Sequence, residues 1–112
     1  MEYYSVLERD RPEIVGLLRS PRTMDVIDGL LSAAYYDPDW RCVQEQCLVC
    51  LNHQDMWVRR NAATCLGHIA RIHKELDVEL VLPRLTVLKD DAEIGAWVQD
   101  ALDDIRFQLR FQ

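Results

Sequence analysis

Cys42, Cys47, Cys50 and Cys65 are the residues whose type and spacing come nearest to a chemical site: they run C-x4-C-x2-C with a fourth cysteine further on, the spacing of plant-type iron–sulfur proteins. Cluster ligands come from a loop that wraps the metal. Here the segment from Cys42 to Cys50 has helical apolar periodicity, and on a helix steps of five and three residues scatter the side chains by ~140° and ~60°. Cys47, Cys50 and Cys65 fall instead on apolar faces, where free cysteine behaves as a small hydrophobe. We read them as core residues, neither ligands nor, in a reducing cytoplasm, disulfide partners.

The other reactive side chains form no set either. His68 and His73 are five apart, so their rings diverge on a helix, whereas a four-residue spacing lets two imidazoles meet one zinc. Asp100, Asp103 and Asp104 offer carboxylates for acid–base work, but no nearby apolar pocket is evident to split their pKa values, so they read as a solvated helix face. Gly16, Gly29, Gly67 and Gly95 are isolated, and no glycine-rich loop cradles a phosphate. No nucleophile has an evident base. We expect a non-enzymatic protein with no catalytic residues, no metal and no cofactor.

The elements that would carry any surface are helices. The chain of 112 residues is the size of a single domain, 1–112, and such a domain buries roughly two-thirds of its unfolded surface. Met1-Glu2-Tyr3-Tyr4 is not a basic region followed by an apolar run, and no segment approaches the ~20 apolar residues of a membrane helix; the expected location is the cytoplasm. Apolar spacing predicts six helices in three hairpins, and no strand-like alternation intervenes. Pro12 follows Asp10 at a first-turn position, with Ile14, Val15, Leu17 and Leu18 as the apolar face, and Ser20-Pro21 breaks the helix. A second helix runs from about Arg22 to Tyr36 with Val26, Ile27, Leu30, Leu31 and Ala34 inward, and Asp37-Pro38-Asp39 starts a third, with the Pro expected inside its first turn. Asp55 caps the fourth helix, reaching about His73. The fifth holds Val81, Leu82, Leu85 and Leu88, with Pro83 either kinking it or lying in a delayed first turn; the sixth starts at Asp90-Asp91 and runs through Ile94, Val98, Ala101, Leu102, Ile105 and Leu109.

On the fourth helix Val58, Ala62, Cys65, Ile69 and Ile72 form an apolar stripe beside a stripe of small residues, Ala63, Gly67 and Ala70. Two adjacent packing faces imply two partners, so this helix belongs in the middle of a stack. Trp57-Val58 and Trp97-Val98 lie 40 apart, within the ~40–47 residue period of two-helix solenoid repeats. Asp55, Val58, Arg59, Ala62, Ala63, Leu66, Gly67 and Ile69 resemble the second-helix signature of HEAT-like repeats. That resemblance implies an all-α fold, a short right-handed α-solenoid of about three helical hairpins. In the last repeat Gln99 replaces the usual arginine and Asp103 stands where a small residue is expected, which suits an end cap with a solvated face.

A solenoid without chemistry offers a surface. Trp57, Arg60, Thr64, His68 and Arg71 lie opposite the apolar stripe, and the offset of 40 places Trp97, Asp100, Asp104 and Gln108 on the equivalent side of the sixth helix. The partner-binding residues expected are Trp57, Arg60, Thr64, His68, Trp97, Asp100 and Asp104. The competing expectation is that the tryptophans pack between layers while Arg60 pairs with Asp100. Residues 1–56 carry ten acids against five arginines in a chain of net charge −6, which disfavours nucleic acid and could steer a basic protein. Small acidic HEAT-like proteins include bacterial immunity proteins, so the resemblance implies a module that binds and neutralises a cognate, basic nuclease toxin domain. The alternatives are a structural adaptor or subunit of a larger assembly, or a lyase-like HEAT-repeat enzyme subunit.

Overall fold

Carboxylates start three of the six helices among the described residues. In the computed structural model, which describes residues 5–110, Asp10 accepts from the Glu13 amide (2.9 Å), Asp39 from the Cys42 amide (3.2 Å) and Asp55 from the Trp57 and Val58 amides (2.8 and 3.4 Å). Each satisfies donors that have no partner within the first helical turn. The six helices are α1 (Arg11–Leu18), α2 (Thr23–Tyr36), α3 (Trp40–Cys50), α4 (Met56–His73), α5 (Val78–Thr86) and α6 (Gly95–Leu109). No helix among the described residues is long and apolar enough to cross a membrane.

Two boundaries differ from the sequence expectation, and the alternative left open at Pro83 is decided. Pro38 precedes the Asp39 cap instead of entering the first turn of α3. Pro83 lies inside α5, which ends three residues later at Thr86, so it is not in a delayed first turn. The last helix starts at Gly95, not at Asp90-Asp91, because the Asp91 side chain accepts from the Glu93 and Ile94 amides (2.8 and 3.1 Å) and holds those residues in a turn. That turn brings the Lys89 carbonyl oxygen to 2.6 Å from where a Cβ on Gly95 would stand, so only glycine fits there.

The fold is all-α and solenoid-like: α1 packs on α2, α3 on α4 and α5 on α6, while α2, α4 and α6 lie side by side with α4 in the middle. One hydrophobic cluster runs through the stack from Ile14 to Ile105. Val58, Ala62, Cys65 and Ile69 are fully buried, as the stripe requires, but Ile72 is exposed. Val58, Cys65 and Ile72 are heptad steps, and a straight helix drifts by about 20° per heptad, enough to carry Ile72 onto the open face by the last turn. Cys47, Cys50 and Cys65 are buried free thiols. A hydrogen bond with Cys65 and burial push the Cys47 thiol well up, and burial pushes Cys50 up to about 11, so neither is a ready thiolate at neutral pH.

The stripe of small residues is where α6 comes close. A Cβ on Gly67 would meet Asp104 Cβ at 3.4 Å and the Ala101 Cα at 3.5 Å, which leaves room for a methyl group and nothing larger. Gly67→Ala is therefore expected to change stability by less than about 1 kcal/mol, with the helix-propensity gain offsetting the tight contact. Gly67→Leu should cost about 1–3 kcal/mol by forcing α6 away. Urea unfolding of the two variants checks this; equal midpoints would mean that α6 is not seated on this stripe.

Candidate protein-interaction face

The side-by-side second helices present one continuous face, and its central feature is built on the first turns of α4 and α6. Arg60 points from α4 toward α6 with its guanidinium carbon 4.6 Å from the centre of the Trp57 ring and 3.7 Å from that of Trp97. A planar cation between two indoles is attracted by both ring faces, each contact contributing about 0.5–1 kcal/mol where exposed and more where dry. Its Nε donates to the Glu93 carbonyl oxygen at 2.8 Å. The expected Arg60–Asp100 pair does not form; the backbone turn ahead of α6, invisible to helical spacing, captures the guanidinium first. Trp57 keeps 53% of its surface exposed and Trp97 is half-buried, so the stack stands at the surface and is not a layer filling.

Next to it Arg59 ties the repeats together. Its Nη1 donates to the His53 and Gln54 carbonyls (2.9 and 3.1 Å) and its Nη2 pairs with Glu93 at 2.6 Å. One side chain thus closes the α3–α4 turn and reaches the following hairpin. Gln99, its counterpart 40 residues on, bonds Asp103 on its own helix (3.0 Å), and both stay exposed.

A second cluster forms toward the C-terminal half of the same face. His68 meets Tyr35 of α2 edge to face at 5.1 Å, and Arg71 lies 5.9 Å over the Tyr35 ring. Arg71 Nη2 stands 2.8 Å from His68 Nδ1. Guanidinium only donates, so Nδ1 accepts and the neutral ring carries its proton on Nε2. Burial, and then the Arg71 charge, lower the His68 pKa, with Asp104 opposing. Thr64, half-buried, stands between the two clusters on α4, and Asp100 and Asp104 are exposed on α6. Lys74 bonds Gln108.

An apolar groove of about 380 Å³ runs between α2 and α4, lined by Thr23, Met24, Ile27, Leu31, Trp57 and Asn61. Sequence reasoning found its Trp57 wall but not Met24 or Asn61. Met24, Ile27, Leu31 and Tyr35 recur at helical spacing beside the buried stripe of α2, and that second stripe was the available signal. Thr23 donates to Asp55 at 2.8 Å, so the carboxylate that caps α4 also pins the groove's end. This hydrogen bond first, and the Trp57 and Val58 amides after it, hold the Asp55 carboxyl below its usual range.

A folded-state pKa below the unfolded one gives stability that is present above the unfolded carboxylate pKa and lost as pH falls through the folded value. Asp55→Ala should cost about 0.5–2 kcal/mol at neutral pH. Asp55→Asn, a cap without a titrating group, should retain most of that and show a shallower acid limb below about pH 4. Melting temperature followed against pH decides; parallel acid limbs in wild type and Asp55→Asn would remove this carboxylate from the linkage.

Among the described residues no three His, Cys, Asp or Glu side chains converge on a metal position. The HEAT repeat family model matches residues 43–73, most of α3 and all of α4. A chain in the crystal structure of a CDI complex from Cupriavidus taiwanensis LMG 19424 superposes with a TM-score of 0.85 at 33% identity, with 96% of each chain covered. No curated protein matches the chain.

Proposed function

The chain belongs to the same HEAT-like repeat family as that chain of the CDI complex, and from this premise we propose that it is a non-catalytic immunity protein that binds and neutralises a toxin domain of a contact-dependent inhibition system. The observation that carries this is the whole-length likeness to a chain crystallised in such a complex. The face of α2, α4 and α6 supports it: an exposed aromatic–arginine stack beside an apolar groove is the composition of binding hot spots. Trp57, Arg60, Thr64, His68, Trp97, Asp100 and Asp104 are the contact residues of the proposal, and the toxin domain is basic, matching the excess of acids in residues 1–56.

Co-expression tests it. The reading expects a toxin domain to be encoded beside this gene; producing that domain should arrest growth, and this protein should restore growth and co-purify with it. A steered encounter makes association slow steeply as salt rises while dissociation changes little. Growth arrest that persists despite soluble protein sinks the immunity function, and stable recovery of a housekeeping assembly from the host would replace it with an adaptor's role.

A further inference from the structure

The outward side of α6 carries an ordered row of side chains. Trp97, Asp100, Asp104 and Phe107 follow one another at steps of three, four and three residues, so on a helix of 3.6 residues per turn they share one band ~80° wide and about 15 Å long. Val98, Ala101, Leu102 and Ile105 fill the buried side. An aromatic ring stands at each end of the band, with two carboxylates between the rings. Besides α5, its hairpin partner, α6 packs mainly on α4; Asp104 borders that contact at Gly67, and Asp100 and Phe107 stand further out. Phe107 keeps 70% of its surface exposed, and both carboxylates are exposed.

The charges on this face are unevenly engaged. Arg60 is held by two rings and the Glu93 carbonyl oxygen, and Arg71 by the His68 ring nitrogen and the Tyr35 ring. Lys74 reaches α6 at Gln108. Asp103, just outside the band, accepts from Gln99, whereas Asp100 and Asp104 have no ion pair among the described residues. That chemistry sorts the occupants. Two carboxylates with no third ligand converge on no metal position, a convex helix surface encloses no small molecule, and carboxylates repel the phosphates of a nucleic acid. A protein surface carrying lysine or arginine between two apolar recesses gains from both acids and covers both rings.

We propose that α6 is the ridge on which the toxin domain seats a basic cleft: Trp97 and Phe107 fill apolar recesses at the two ends, and lysine or arginine side chains of the toxin between them meet Asp100 and Asp104. The inference rests on the toxin-binding reading and deepens it, adding Phe107 to the contact and fixing the order of apolar and basic groups that the partner must present. Charge complementarity selects the occupant, since a partner with acids at those places is repelled by both carboxylates.

The experiment is a dissociation constant, followed from low to high salt, for the full-length protein with a catalytically inactivated form of the toxin domain that the immunity reading expects beside this gene. Phe107→Ala should weaken binding about tenfold or more. Asp100→Asn combined with Asp104→Asn should weaken it by about tenfold at low salt and flatten its dependence on salt, which a structural defect alone would not do. Val49→Ala, which trims an exposed apolar side chain on α3, outside the row of α2, α4 and α6, should bind as wild type does. Wild-type affinity in Phe107→Ala, or an unaltered salt dependence in the double asparagine variant, with native circular dichroism in each, overturns the ridge and leaves the immunity function standing. Failure of the wild-type protein to bind the domain overturns both.

Discussion

Trp57→Ala is expected to weaken binding of the toxin domain by about 30-fold or more, the loss typical of removing a hot-spot tryptophan worth at least about 2 kcal/mol, while helicity and melting temperature stay near wild type. Three features concentrate the effect here. The ring is more than half exposed, so the fold buries little of it. It forms one wall of the apolar groove and one side of the Arg60 stack, so its removal opens the groove and leaves the guanidinium against Trp97 alone. The fold loses about one exposed cation–π contact, 0.5–1 kcal/mol. Asp100→Lys, on the same face of α6, should act mainly on the association rate, because an exposed charge steers encounter more than it holds the complex. Surface plasmon resonance alongside thermal melts separates the outcomes. A Trp57→Ala protein that melts far below wild type would mean that the ring is structural packing, and one that is native and binds normally would move the interface elsewhere.

Leu66→Ala is expected to have the largest effect on stability, about 2–5 kcal/mol. Leu66 is fully buried in the middle of α4, the helix that contacts α2, α3 and α6. Truncation there removes apolar burial and leaves a cavity bounded by several elements, which can close only if the helices shift together. For a domain whose whole stability is of order 5–15 kcal/mol the loss is a large fraction of the total, and melting should fall by roughly 10 °C or more. Urea denaturation with an unchanged m-value would identify it as a loss of stability in an otherwise native fold. A change below about 1 kcal/mol would contradict the position of α4 at the centre of the core. The binding affinity of the folded fraction should remain near wild type, which makes Leu66→Ala the counterpart of Trp57→Ala.

The HEAT-like character was legible because it is written locally. Asp10, Asp39 and Asp55 sit where a carboxylate meets the first free amides, and Val58, Ala62, Cys65 and Ile69 repeat at the helical period. Gly67 among alanines announced a close neighbour without saying which, and the approach of Ala101 and Asp104 identifies it as α6. The cysteines were legible in the same way: Cys47, Cys50 and Cys65 were placed on apolar helix faces by their spacing, and all three are in the core.

The candidate face was legible only as a set of positions. Helical arithmetic placed Trp57, Arg60 and Trp97 on one side of the stack, but the choice of Arg60 for two rings and a carbonyl over Asp100 depends on where the turn before α6 runs. That turn was itself misplaced, because Asp91 reads equally well as a helix cap and as the anchor of a turn whose Lys89 carbonyl crowds Gly95. The groove between α2 and α4 exists only once two helices remote in sequence are set at a particular separation. The sequence alone determined the helices, their buried faces and the repeat, since periodicity and capping act within a few residues. Only the tertiary structure decided which cation meets which ring and where a partner's side chain has room, because those are distances between elements that no local spacing contains.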